Sequence, residues 1–280
     1  MMPKTRLAYM PLITYPDIAT EEAVIAATST AMALDTELQV TTFSVEIPAV
    51  ASPIGNFLLN IPDLIRTTEE YSQNDCLRLE RLVQRHAEGR IGVQCSSRKL
   101  PLGSAGSAAA SEARYFDLSL LPWVKDSLVL QELAETVVFD AGRPAILVPS
   151  SATSNPIKDV AIAWDGSRVA ARALADVMPL LTPDSHITIL TVQNEKQLEG
   201  RGIAETLALS LRRRGFQAQA QNVELEGGNI AETLQDAALN AESHMLAMGG
   251  FGHTRLRDFV LGGATKGVLS ELRLPVLMSH

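Results

Sequence analysis

Short runs of aliphatic and β-branched residues alternate with longer stretches of helical period along almost the whole chain. This alternation limits the possible folds more than any other feature, because strands separated by helices imply a parallel sheet with helices packed on its faces. In the second half, Val160–Trp164 reads as a short buried strand. Asp165-Gly166-Ser167 then turns the chain, with Ser167 placed to cap a helix on which Ala170, Leu174, Val177 and Leu181 recur on one face. Ile187–Val192, Ala218–Leu225, Met245–Met248 and Val276–Met278 read as further strands, and Ile203–Arg214 and Ile230–Ala241 as helices. The first half follows the same plan, with strands at Leu7–Met10, Leu38–Val45, Ile91–Gln94, Leu118–Leu121 and Ala145–Val148. Its helices are expected at Glu21–Leu34, Glu69–His86 and Leu128–Phe139, with a Pro- and Gly-marked excursion over residues 51–66. Gly103–Ala113 has the look of a phosphate loop, but its alanine run indicates a flexible loop entering a helix.

The two halves read as an internal repeat. Pro144 aligns with Pro275 at an offset of 131, and Leu118–Leu121 lies over Met245–Met248 at an offset of 127. The difference is about one helical turn, a small insertion between the two points. The chain of 280 residues has room for two domains. Ser150–Pro156, small, polar and closed by proline, marks the linker. The expected division is therefore residues 1–149 and 156–280.

Composition narrows the classes of function. The net charge of −8 argues against a nucleic-acid partner, whose phosphates demand clustered Lys and Arg. No apolar run reaches membrane-spanning length and no secretory leader pattern opens the chain, so a cytoplasmic protein without a membrane partner is expected. Cys76 and Cys95 show no metal spacing and read as reduced thiols. His86, His186, His244 and His280 form no metal-ligand pattern, and no nucleophile has an identifiable base.

The chemistry points to one stretch. Met248-Gly249-Gly250-Phe251-Gly252-His253 follows the fourth strand of the second half, and Gly262-Gly263-Ala264-Thr265 opens the next helix. Glycines allow a backbone to approach a ligand closely, and free N–H groups at a helix start favour phosphate oxygens. Ligands of open parallel sheets sit beyond the carboxyl ends of the strands, where Asp165 and Gly249 both lie. The spacing is neither that of the P-loop nor that of the dinucleotide fingerprint. Asp165-Gly166 also suits a plain turn, and His253, Arg255 and Arg257 also suit a solvated loop.

At these residues the chain resembles the universal stress protein family, whose motif G-x2-G-x9-G-[ST] falls on Gly249, Gly252 and Gly262. The likeness extends to the VAIAWDGS start and the closing P-V-L strand. It covers residues 156–280 well and residues 1–149 in outline, so the whole resembles a tandem universal stress protein. The resemblance implies an α/β fold of two doubly wound, adenine-nucleotide α-hydrolase-like domains, each with a five-stranded parallel sheet. It also implies ATP or AMP as ligand, with magnesium accompanying ATP. Asp165 and Gly166 would meet the nucleoside and the backbone at Val192 the base. Met248, Gly249, Gly252, His253, Gly262, Gly263, Ala264 and Thr265 would surround the phosphates. One departure stands out: the family's Ser or Thr after the last glycine is Gly263 here, which leaves Thr265 and Lys266 as substitutes.

The first half lacks this equipment. At the offset of 127, Pro122, Trp123, Val124 and Lys125 occupy the places of Gly249, Gly250, Phe251 and Gly252. Strand one is expected to end at Tyr9-Met10-Pro11 without a counterpart of Asp165. Family members pair through the fifth strand, which implies an intramolecular pseudo-dimer of Ala145–Val148 with Val276–Met278, or a homodimer through another face. Two functions remain open: a nucleotide-responsive binding protein with at most slow ATP hydrolysis, or a nucleotide-independent interaction or holding module. A nucleotide-using enzyme of the adenylate-forming or transferase type is a third.

Overall fold

The structure is a computed structural model that describes residues 6–48, 60–152, 156–193, 202–225, 229–250 and 263–280. The N-terminal half runs β1 (Arg6–Ile13), α1 (Glu21–Ala33), β2 (Thr36–Glu46), α2 (Ile61–Ala87), β3 (Val93–Pro101), α3 (Ala105–Ala113), β4 (Leu118–Trp123), α4 (Leu128–Asp140) and β5 (Ala145–Pro149). The C-terminal half runs β6 (Asp159–Ala163), α5 (Arg168–Val177) with a 3-10 turn at Met178–Leu180, β7 (His186–Gln193), α6 (Ile203–Arg213), β8 (Gln217–Glu224), α7 (Ile230–Asn240), β9 (Met245–Gly249), α8 (Gly263–Ser270) and β10 (Val276–Ser279). The strands form one sheet in the order β3-β2-β1-β4-β5-β10-β9-β6-β7-β8. Each half is a doubly wound parallel sheet, and among the described residues the one antiparallel pairing joins β5 to β10. Among the described residues no helix is long and apolar enough to cross a membrane.

The strand registers of the two halves correspond at the offsets read from sequence. Ser119 pairs with Ala145 as Leu246 pairs with Val276. At the seam, Ile146 faces Leu277, its own counterpart at an offset of 131, while Ala145 faces Met278 and Leu147 faces Val276. A local two-fold axis therefore passes between Ile146 and Leu277, as in an isologous interface. Both strands are completely buried there, with Ala145, Ile146, Leu147, Val276, Leu277 and Met278 all at 0% exposure. The expected pairing of the two fifth strands is thus present, and it leaves β3 and β8 as the outer edges of the sheet.

Three elements depart from the sequence reading. The helix expected from Glu69 starts at Ile61, taking in the end of the supposed excursion, and residues 51–59 lie outside the described residues. Pro62 sits in its first turn, where a missing N–H costs nothing, so the proline opens a helix and does not mark a loop. The third strand covers Val93–Pro101 and not Ile91–Gln94. It is an edge strand with mostly exposed residues, so no apolar alternation announces it. The first strand continues to Ile13 through Pro11. It meets β4 only at Ala8 and Tyr9, so beyond that point it is an edge on that side, where proline is tolerated.

Both cysteines are free thiols, Cys76 buried and Cys95 partly so. Burial, reinforced by the Glu80 carboxylate, pushes the Cys95 thiol up to about 11. Thiolate is the reactive form, so raising the pKa removes nucleophile at neutral pH. Alkylation of Cys95 by iodoacetamide at pH 8 should run on the order of a hundredfold slower than that of an ordinary thiol. The rate should climb with pH until about 11. Peptide mass spectrometry of a timed reaction measures this; labelling as fast as glutathione at pH 8 would contradict it.

Candidate functional site

The chain order locates a crevice. From β6 the chain passes to β7 and β8 on one side, then α7 returns it across β6 to β9 on the other. The winding reverses between β6 and β9, and such a switch point opens a ligand crevice at the carboxyl ends of the strands. Ile162 pairs with Ala247 and Ala163 with Leu190. Asp165 follows these ladders and so stands between the strand ends that carry Gly249 and Val192.

The turn after β6 is built from its own residues. The Ser167 hydroxyl accepts the Ala170 N–H at 3.2 Å, capping α5 as expected, and Asp165 Oδ1 accepts the Ser167 N–H at 2.9 Å. Gly166 has φ 77°, a left-handed conformation that side chains strain. Asp165 therefore serves the turn and remains only half-buried at the crevice. The ends of β6 and β7 are locked together: Trp164 N–H donates to the Leu190 carbonyl at 2.8 Å, and the Thr191 hydroxyl donates to the Trp164 carbonyl at 2.8 Å. Thr191 was not singled out by sequence, although a polar residue inside an apolar strand run is the signal that finds it. The Val192 side chain is buried, which leaves its backbone as the group it can offer a ligand.

The glycines after β9 have packing roles that the sequence did not disclose. A Cβ at Gly249 would lie 2.6 Å from the Val169 carbonyl carbon and 2.7 Å from Val169 Cγ2, so the first turn of α5 rests directly on this strand end. Gly250 donates its N–H to the Ser279 carbonyl at 2.7 Å, and a Cβ there would lie 3.2 Å from Phe139 Cε1. Met248 is buried inside β9. Gly263 opens α8, Ala264 is half-buried, and Thr265 is buried along with Val268 and Leu269. Gly267 lets α8 touch α7, since a Cβ there would come within 2.5 Å of Ala231 Cβ. Gly252, His253 and Gly262, like Arg255 and Arg257, lie outside the described residues. Of the remaining histidines, His186 and His244 converge on Asp159 at 3.0 and 3.4 Å. Asp159 opens β6, so this cluster lies at the opposite sheet edge from the crevice.

The corresponding crevice of the N-terminal half is closed. Pro122 pairs with Val148 where Gly249 pairs with Ser279, and Trp123 stands in the place of Gly250, 3% exposed. Pro11, Ile13, Ala19, Pro122, Leu130 and Leu133 line what is left, a void of about 10 Å³. That is barely room for one water. The start of α4 is also occupied: Ser127 caps it, accepting the Leu130 N–H at 3.3 Å, and donates to Asp17 at 2.8 Å. A carboxylate at a helix N-terminus takes the place that a phosphate would need.

Comparison with known proteins agrees with this geometry. The family model described as "Universal stress protein family" matches residues 156–280. Universal stress protein Slr1230 of Synechocystis sp. (strain ATCC 27184 / PCC 6803 / Kazusa) is 28% identical over 148 residues, 51% of this chain and 49% of its own. The chain thus spans about half the length of the curated relative it matches. The crystal structure of a universal stress protein from Archaeoglobus fulgidus DSM 4304 superposes with a TM-score of 0.70 at 14% identity, covering 99% of both chains. A solved structure from Pseudomonas aeruginosa UCBPP-PA14 gives 0.50 at 16% identity, covering 99% of this chain and 93% of that one. At these identities the two structures speak for the fold alone. Residues 156–280 thus match the universal stress protein family, and the chain as a whole shares the fold of a solved universal stress protein.

Proposed function

We propose that this chain is a nucleotide-responsive stress protein that binds ATP or AMP in its C-terminal half only. One observation carries the reading: the winding reverses between β6 and β9, and the two strand ends at that point bear Asp165 and Gly249. The groups at hand suit an adenine nucleotide. Asp165, half-exposed beside Gly166, would take the ribose hydroxyls, and the backbone at Val192 would meet the base. The phosphates would lie along Met248, Gly249, Gly252 and His253 and against the α8 start at Gly262, Gly263, Ala264 and Thr265, with magnesium accompanying ATP. Residues 1–149 would be a degenerate copy of residues 156–280, with a filled crevice, joined to it as an intramolecular pseudo-dimer. Hydrolysis of ATP would be a slow side reaction.

Calorimetric titration with ATP and AMP tests this, with Gly252→Asp in parallel. The substitution places a carboxylate where phosphate should pass, so affinity should fall at least tenfold with the fold retained. Absence of heat from both nucleotides at millimolar concentration would sink the reading.

A second reading has an observation of its own. Gly249 is demanded by Val169, and the Gly250 N–H is already spent on Ser279, so these two glycines are explained without any ligand. The protein would then be a nucleotide-independent interaction or holding module. A stress phenotype that survives in folded Gly252→Asp protein would favour it.

A further inference from the structure

The antiparallel seam has a consequence for the crevice of the C-terminal half. Because β5 runs opposite to β10, the carboxyl ends of β9 and β10 lie on the sheet edge where β5 begins. The end of α4, which leads into β5, reaches that edge. Phe139, in the last turn of α4, comes within 3.2 Å of where a Gly250 Cβ would stand, and its ring meets the His280 imidazole edge-on at 5.3 Å. Gly250 is thus held on two sides, by the Ser279 carbonyl and by an aromatic ring from the other half of the chain.

The local two-fold axis makes the contact more informative. The counterpart of Gly250 is Trp123, and the counterpart of Phe139, at the offset that relates β5 to β10, is Ser270. By sequence the sizes are exchanged across the axis, Phe139 going with Gly250 and Ser270 with Trp123. Where Phe139 closes on Gly250, the mirror position keeps an open cavity of about 270 Å³ lined by Trp123, Val124, Lys125, Glu271 and Leu272, among others. The N-terminal half thus carries an indole at the position that corresponds to Gly250, and it supplies a ring to the crevice of the other half.

We infer that Phe139 is a positioning residue for the crevice of the C-terminal half, setting the end of β9 at Gly250 from across the seam. The inference rests on the proposed nucleotide site for its functional consequence, but not for its structural one. A ring against Gly250 restricts the strand end that bears Gly249, the first glycine of the motif. The binding geometry of one half therefore depends on the other half being docked.

The test uses the full chain in four forms: wild type, Phe139→Leu, Gly250→Ala and the double variant. The first readout is hydrogen exchange of the Gly250 amide, followed by NMR. Phe139→Leu should speed that exchange at least tenfold while amides within β6 keep their rates; unchanged Gly250 protection overturns the inference. The second readout is ATP affinity by calorimetry. Gly250→Ala should weaken binding at least tenfold, because its methyl group meets the ring, and Phe139→Leu in the same chain should recover most of that loss. A merely structural contact would lower the melting temperature of the single variants without this rescue, and that result also overturns the inference. If wild type binds no nucleotide, the functional reading fails while the exchange experiment still decides the role of Phe139.

Discussion

Leu277→Asp is expected to destabilise the protein by about 5 kcal/mol or more, enough to abolish most folded material. The residue is fully buried and faces Ile146 on the local two-fold axis, so the substitution acts at the middle of a continuous ten-stranded sheet. Removing the leucine side chain alone costs about 2–5 kcal/mol in a core. The introduced carboxylate adds the penalty of an unpaired charge away from water. Leu277→Met, which keeps the volume, should cost less than about 1.5 kcal/mol. Urea denaturation followed by circular dichroism distinguishes the two. A Leu277→Asp protein within about 1 kcal/mol of wild type would mean that β5 and β10 do not share a core in solution. The seam thus carries stability for both halves at once: neither fifth strand has another apolar partner on that side.

Gly249→Ala is expected to cost about 1–3 kcal/mol, the range for forcing a methyl group into a filled core. The added Cβ would fall 2.6 Å from the Val169 carbonyl carbon, and backbone cannot swing aside as a side-chain tip can. The first turn of α5 must lift off β9, and with it the Asp165-Gly166-Ser167 turn that the Ser167 cap ties to that helix. The effect should therefore appear twice, as a lower denaturation midpoint and as shifted amide resonances at residues 165–170. A neutral Gly249→Ala with unshifted resonances there would show that α5 does not rest on the strand end. Such an outcome would return Gly249 to a purely ligand-directed role. The two effects are separable from Gly252→Asp, whose expected defect is in binding with stability unchanged.

Much of the layout was legible from residues alone. The alternation of strand and helix periods located the buried strands, because a buried parallel strand is a short apolar run whatever surrounds it. The two offsets survive into the strand registers for the same reason: a strand that slipped by one residue would turn its buried face outward. Ser167 was recognisable as a cap and Asp165-Gly166 as a turn, since both depend on neighbours within a few positions. Local chemistry was misleading where one residue type has two uses. Pro62 suits a loop or a helix start, and the polar edge strand Val93–Pro101 carries no apolar signal at all.

The elements and the candidate glycines follow from periodicity and short-range geometry and are readable along the chain. Which distant groups meet those glycines depends on how the elements pack. Val169 on Gly249 and Phe139 on Gly250 are contacts across a helix layer and across the seam between halves. They exist because the parallel order brings β9 beside β6, and because the antiparallel pairing of β5 with β10 brings the end of α4 to the same edge. No spacing in the chain encodes either approach, since each depends on the relative placement of elements far apart in sequence.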